Sequence, residues 1–233
     1  MATGNAVKQM FSGIASRYDL ANRLLSFGLC VGWRNRLIDA VQKRKPRRVV
    51  DLATGSGDVA FALRKALPAD TTITGYDFCE PMLAIARVRA EKEKVALTFQ
   101  TGDCMHLPLA DESVEGVTIA YGVRNFEDRE KGLRELHRIT QRGGTVFILE
   151  FSQPQGWFAP LHWIHVRCIS PVLAGLLTGD FGAYRYLGTS IAGFPDAEGL
   201  VQELKKTGFS EVGKNSLLYG ARSVLLNPHT GSW

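Results

Sequence analysis

Three carboxylates in the first half of the chain, Asp51, Asp77 and Asp103, each lie at or near the end of a strand-like run: Val49-Val-Asp-Leu52, Thr72-Ile-Thr-Gly-Tyr-Asp77 and Leu97-Thr-Phe-Gln-Thr-Gly-Asp103. The first run leads straight into a glycine turn, Ala53-Thr-Gly55-Ser56-Gly57-Asp58. Glycine at 55 and 57 lets the backbone turn sharply and lets a ligand approach where a Cβ would collide. Acids at successive strand ends are suited to accept hydrogen bonds from a nucleoside: Asp77 from both ribose hydroxyls, Asp103 from an adenine amino group. The segment Gly55-Ser-Gly57-Asp-Val-Ala60 also fits the permissive dinucleotide fingerprint, with Asp77 suitably placed for the ribose of a nicotinamide cofactor. A pyrophosphate, however, needs a helix amino terminus free of negative charge. Here Asp51 and Asp58 bracket the turn, which favours a cationic or zwitterionic nucleoside over a diphosphate.

Such acids need a frame to bring them together. From 47 to 152 strand-like and helix-like segments alternate, the pattern of an α/β fold with a doubly wound parallel sheet. The strands are expected to end near Leu52, Asp77, Gln100, Ala120 and Phe151, with helices over 58–67, 81–92 and 129–140. Gly143-Gly144 reads as a turn that launches Thr145–Glu150. Residues 5–43 read as helical with breaks around Gly28 and Gly32. Residues 154–195 interrupt the alternation, and a last helix at 196–207 precedes strands at 211–218 and 220–226. The expected whole is one Rossmann-like domain, 1–233, with a seven-stranded, mostly parallel sheet. Its parts are an N-terminal helical cap (1–46), a cofactor-binding core (47–152), a lid or substrate insertion (153–195), and a C-terminal helix with strands (196–233).

The chain has 233 residues, 45% of them hydrophobic, enough for a substantial single core. Residues 1–9 are polar and carry no secretory apolar segment, and Cys30, Cys79, Cys104 and Cys168 show no paired spacing, so a reducing cytoplasm is expected and neither a disulfide framework nor a metal site is indicated. The net charge of +5 owes much to Lys43-Arg-Lys-Pro-Arg-Arg48, a solvated helix end and linker rather than a binding patch. Basic and aromatic residues do not interleave, which argues against nucleic acid as a partner. Trp157–Leu177 is apolar and nearly long enough to span a bilayer, but Pro160, Pro171, Arg167, His162 and His165 argue against spanning. A buried helix, a lid and a lipid-facing surface all remain open for it. The last, with the basic excess, would place a cytoplasmic protein peripherally at the inner face of the membrane; the chain is also open to homo-oligomerisation.

The acids and the glycine turn together resemble class I S-adenosylmethionine-dependent methyltransferases. Two further segments narrow the resemblance. In Tyr18-Asp-Leu-Ala-Asn22-Arg-Leu-Leu-Ser26, helical spacing stacks Tyr18, Asn22 and Ser26 on one face. In Arg138-Ile-Thr-Gln-Arg-Gly-Gly-Thr-Val-Phe-Ile-Leu-Glu150-Phe-Ser152, Glu150 and Ser152 fall at the end of the fifth strand, beside the expected crevice. With Asp103-Cys-Met-His-Leu-Pro-Leu109, Tyr121-Gly-Val-Arg124-Asn125 and Tyr184-Arg-Tyr-Leu-Gly-Thr-Ser190-Ile-Ala-Gly-Phe-Pro195, they resemble the ubiquinone/menaquinone biosynthesis C-methyltransferases over roughly 7–226. The chain departs from that family at Cys30, where histidine is usual, at Ala21, where methionine is usual, and at Gln141-Arg-Gly-Gly144, where Lys-Pro-Gly-Gly is usual.

The resemblance implies S-adenosyl-L-methionine as cofactor and the ring carbon of a polyprenyl quinol as methyl acceptor. It implies that Asp51, Gly55, Ser56 and Gly57 shape the cofactor turn, that Asp77 with Phe78 meets the ribose, that Asp103 with Cys104 meets the adenine, and that Ala120 lies beside the methionine part. Tyr18, Asn22, Tyr184, Tyr186 and Ser190 would line the acceptor pocket, Tyr18 acting with the catalytic pair. A phenol titrates near pH 10, so holding it ionised at neutrality costs about 4 kcal/mol. Arg124 is the expected phenolate stabiliser, directly or through a water, with Asn125 fixing its geometry. The plainer alternative is a bridge from Arg124 to Glu127 or Asp128. Asp19, Glu150, His162 and His165 stand as candidate bases. Benzoquinol and naphthoquinol both remain open as acceptors. Methylation of another small acceptor (phenol oxygen, sterol carbon or amine) and a non-catalytic nucleoside-binding scaffold also remain open.

Overall fold

The computed structural model describes residues 12–13, 28–151, 164, 172, 175, 181–216 and 221–227. Helix α1 (Leu29–Arg44) leads into β1 (Arg48–Leu52), α2 (Asp58–Ala66), β2 (Thr72–Asp77), α3 (Glu80–Glu93), β3 (Thr98–Thr101) and β4 (Val114–Ala120). A 3-10 turn (Val123–Asn125), α4 (Arg129–Ile139) and β5 (Thr140–Phe151) follow; then come α5 (Phe181–Ala192), α6 (Ala197–Lys206), β6 (Glu211–Ser216) and β7 (Ala221–Asn227). The strands form one sheet in the order β3-β2-β1-β4-β5-β7-β6. β1 to β5 run parallel, while β7 pairs antiparallel with both β5 and β6.

The alternation of side chains along each strand divides the apolar residues between two cores. Val50 and Leu52 of β1, with Val146 and Ile148 of β5, pack with α4 and α6 through Leu133, Leu136, Leu200 and Leu204. Their neighbours Val49, Phe147 and Leu149 face the other way, onto Trp33, Leu37 and Val41 of α1, Phe61 and Leu63 of α2 and Leu83 of α3. Both faces of the sheet are therefore covered, and the strand ends are left for chemistry.

Helix starts follow local chemistry. Asp128 and Asp196 cap α4 and α6, accepting from the backbone N–H of Lys131 and Gly199 at 3.0 and 2.9 Å. Two expectations fail in detail. Gly32 does not break the helix; it lies inside α1, which starts after Gly28, in the left-handed region at φ 75°. Gly143-Gly144 is not a turn ahead of the strand but an irregularity within it. Pairing with β4 jumps from Val114↔Thr140 to Gly116↔Thr145, so α4 passes directly into β5 and the excess residues bulge. The N-terminal cap and the 153–195 insertion lie largely outside the described residues. Among the described residues, no helix is long and apolar enough to cross a membrane.

Candidate active site

Parallel pairing of β1, β2 and β4 brings the acids of the sequence to one end of the sheet. Asp51, 1% exposed, lies opposite Thr118 of β4 in register. Its two oxygens accept from the hydroxyls of Thr54 at 2.6 Å and Thr118 at 2.7 Å. Burial pushes its carboxyl up to about 7 against the pull of those hydroxyls, and the charge of Asp77 adds to the rise. The threonines were not singled out in the sequence. Thr54 sits inside the turn motif and was readable there, but Thr118 had no signal, because only strand adjacency puts it beside Asp51.

Asp77 ends β2 and is held by the turn it faces. Gly55 N–H donates to one oxygen and Cys79 N–H to the other, both at 2.8 Å. Burial raises this carboxyl above its ordinary value, and the backbone amides of Cys79, Gly55 and Phe78 oppose that. Gly57, at φ 87°, closes the turn, and a Cβ there would meet Phe99 at 2.9 Å. Ser56 is buried, Phe78 half-buried and Ala120 partly exposed. The Oγ of Ser12 comes within 3.5 Å of the Sγ of Cys79, just past the tip of β2.

Asp103 is the open member of the set. Its carboxylate is half exposed; one oxygen accepts Met105 N–H at 2.9 Å and the other lies 4.0 Å from His106 Nδ1. Beside it the Cys104 thiol is buried and pushed up to about 12 by that burial, which keeps it protonated.

Asp58 does not stand as an open negative charge beside the turn. The Asp58 carboxylate at the start of α2 is paired with Arg34 of α1 and, at 2.9 Å, with Arg89 of α3, whose guanidinium lies 3.9 Å over the Phe61 ring. Its charge is compensated, so it does not repel an anion. What disfavours a pyrophosphate is Asp77, which already takes the Gly55 N–H that such a turn would offer to phosphate. The acceptor set fits a nucleoside with free ribose hydroxyls: Asp77 retains acceptor capacity on both oxygens, and Asp103 presents a second acceptor.

The next strand tips carry a different assembly. After Ala120 the chain swings through Tyr121, left-handed at φ 59°, whose N–H donates to Leu149 O at 2.7 Å. Gly122 follows where a Cβ would lie 2.6 Å from that of Ala53, so no larger residue fits. In the 3-10 turn the Arg124 guanidinium donates to Glu150 at 2.6 Å, with both side chains 2% exposed. The expected bridge exists with another partner: Asp128 caps α4 instead, and the acid that meets Arg124 comes from the neighbouring strand. Tyr121 stacks on Phe151 with ring centroids 4.7 Å apart, and Trp33 meets Phe151 edge-on at 5.8 Å. The guanidinium lies 5.6 Å from the Phe151 ring and 5.9 Å from that of Tyr121. This aromatic group escaped the sequence reading, because its members come from α1, β5 and the loop after β4.

Asn125 links this assembly to α5. Its amide nitrogen donates to Tyr121 O, and its oxygen accepts from the Tyr186 hydroxyl, each at 3.3 Å. Burial raises the Tyr186 phenol, and the nearby charge of Arg124 opposes the rise. Ser190, half-buried, lies one turn further along α5. Tyr184 is on the same helix, but its side chain, like all of Tyr18, Asn22, Asp19, His162, His165 and Cys168, lies outside the described residues.

Comparison with known proteins decides the class of this crevice. The model of the ubiE/COQ5 methyltransferase family matches residues 1–229. The chain belongs to that family. It is 44% identical to a demethylmenaquinone methyltransferase of Thermus thermophilus, with 92% of this chain and 97% of the relative aligned. It is 36% identical to the ubiquinone/menaquinone biosynthesis C-methyltransferase UbiE of Geobacter sulfurreducens, covering 95% of this chain and 87% of the relative. Among solved structures, an S-adenosylmethionine-dependent methyltransferase of Thermotoga maritima superposes with a TM-score of 0.67 at 18% identity, over 94% of this chain and 99% of the other. The cyclase SpnF superposes at 0.63 and 16% identity, over 84% and 81% of the two chains. At those identities the likeness is one of fold, and a cyclase among the neighbours shows that the fold alone does not specify methyl transfer.

Proposed function

We propose that this chain transfers a methyl group from S-adenosyl-L-methionine to a ring carbon of a polyprenyl quinol in respiratory quinone biosynthesis, with demethylmenaquinol as the acceptor. The observation that carries this is the near-full-length match to demethylmenaquinone methyltransferases, at 44% and 41% identity. Within it, Asp77 accepts the ribose hydroxyls, Asp103 with Cys104 borders the adenine, Gly55, Ser56, Gly57 and Phe78 shape the seat, and Ala120 borders the methionine part. Asp51 lies beneath the turn, where an incoming cation would favour its ionised form against the burial that raises it. When bound, the cofactor supplies an electrophilic methyl on a cationic sulfonium.

The chain's own residues prepare the acceptor. A ring carbon becomes nucleophilic when the neighbouring hydroxyl is ionised, and Arg124 supplies the charge that favours ionisation. Asn125 and Tyr186 fix the edge of that site by their mutual hydrogen bond. Tyr18, Asn22, Tyr184 and Ser190 complete the acceptor pocket. Enclosure of Arg124 between Glu150 and the two rings excludes water, which would otherwise weaken the charge.

The polyprenyl tail requires the crevice mouth to reach lipid, so we assign peripheral membrane contact to the mouth rather than to the basic run. Arg47 and Arg48 precede and begin β1, at the end of the sheet opposite the strand tips that carry Asp51 and Asp77. Radiolabelled methyl transfer from S-adenosylmethionine to a short-chain demethylnaphthoquinol, beside a benzoquinol, a catechol and a sterol, tests the proposal. Label in the naphthoquinol is the expected result. Label in the catechol or sterol alone would replace the acceptor, and calorimetric uptake of NAD in preference to S-adenosylmethionine would overturn the class.

A further inference from the structure

Glu150 does no more in the proposed reaction than enclose Arg124, yet two of its three hydrogen bonds go to that one residue. One oxygen accepts from the Arg124 guanidinium at 2.6 Å and from Phe151 N–H at 2.8 Å; the other accepts from Arg124 backbone N–H at 3.2 Å. One carboxylate thus fixes both the side chain and the backbone of the same arginine, and it does so from the adjacent strand. We infer that Glu150 is a positioning residue for methyl transfer, holding the Arg124 guanidinium and the 3-10 turn in the one orientation that serves the acceptor. The inference rests on the reading that Arg124 acts on the acceptor.

Stability alone does not call for this pair. Removing two charges from water costs about as much as their attraction returns, and apolar side chains of similar volume commonly serve a fold as well or better. The pair is also set in a frame that constrains orientation. The stacked Tyr121 and Phe151 rings lie together on one side of the guanidinium, and Tyr121 keeps a left-handed backbone that a bulky residue seldom adopts. Strain of that kind persists where surrounding structure over-determines it. From Asn125 the constraint passes to Tyr186 on α5. Loss of the Glu150 charge would let the guanidinium swing and relax the turn, while leaving Asp77, Gly55 and Asp103 untouched.

Glu150→Gln tests this in the full-length chain, because the amide keeps the shape and one oxygen acceptor while removing the charge. Methyl transfer to a short-chain demethylnaphthoquinol and calorimetric binding of S-adenosylmethionine are measured side by side. Expected is a kcat lowered roughly ten- to hundredfold, as for a misplaced catalytic group, with acceptor KM and cofactor affinity within about threefold of the parent. Combined with Arg124→Lys, the loss should be no greater than that of the slower single variant. A kcat within about twofold of the parent, or losses that multiply as for independent sites, would overturn the inference. Should Glu150→Gln fold poorly, Glu150→Asp keeps Arg124 and the charge while shortening the reach to the guanidinium. A lowered kcat with cofactor affinity unchanged is expected there too; parent-like turnover would overturn the inference. A parent chain that binds no S-adenosylmethionine or methylates no quinol marks failure of the proposed function instead, whatever the variants do.

Discussion

At the tips of β1 and β2 the carboxylates of Asp51 and Asp77 are held by neutral donors, threonine hydroxyls and backbone amides. At the tips of β4 and β5 the carboxylate of Glu150 is held by a guanidinium. The first arrangement leaves uncompensated negative charge in a poorly solvated place, and the rise of both aspartates records the cost. It suits an incoming cation. The second sets its carboxylate against the guanidinium, so Glu150 orients the arginine rather than attracting a ligand. One crevice thus combines a carboxylate seat with a rigid ion-paired assembly, and the two halves should fail differently when altered.

The largest difference should appear on removal of Arg124. Arg124→Ala is expected to lower kcat on the order of 10²- to 10³-fold, with cofactor affinity nearly unchanged. It should also destabilise the fold by about 3–5 kcal/mol in urea, because Glu150 is left buried without its partner. An unchanged turnover in folded protein would remove Arg124 from the chemistry and dissolve the contrast between the halves. Asp77→Asn should show the converse, weakening S-adenosylmethionine binding about 100-fold, two charge-assisted hydrogen bonds being at stake. Acceptor KM should hardly move, and equal losses on both sides would show that the halves are one unit.

A third test uses pH. Burial raises Asp51 from 3.8 to about 7, so the native state binds that proton more tightly than the unfolded chain does. The resulting stabilisation is complete below about pH 4 and is lost as pH rises through the folded value, by at most about 1.4 kcal/mol per pH unit. Asp51→Asn should therefore gain stability relative to the parent between pH 5 and pH 8 in denaturant titrations. Parallel pH curves for the two proteins would show that Asp51 carries no such burden. The smallest effect is expected of Tyr186→Phe, which deletes one long hydrogen bond worth about 0.5–1.5 kcal/mol. Turnover should fall a few-fold with unchanged cofactor affinity; a much greater fall would place the Tyr186 hydroxyl on the acceptor itself.

Legibility in the sequence followed locality. Val49, Val50 and Leu52 with the glycines after them marked the first strand and its turn, since these features lie within ten residues. Helix α6 was read to within a residue at each end, helped by the capping Asp196. The bulge at Gly143-Gly144 was missed because two glycines specify a bend, whereas the pairing on either side specifies whether a strand continues through it. The Asp58 pairing was missed for a related reason: Arg34 and Arg89 are 24 and 31 residues away, and only the packing of α1 and α3 around the start of α2 brings them in.

By itself the sequence determined the acids at the strand ends, the glycine turn between them, and the segments by which the family could be recognised. These are properties of residue type and short spacing, where backbone conformation follows from neighbours along the chain. The tertiary structure alone decided which hydroxyls hold Asp51, that Asp58 is paired with two arginines, and that Arg124 is gripped by Glu150 of the neighbouring strand. Those outcomes depend on which strands lie side by side, and strand adjacency is set by packing of the whole sheet against its helices.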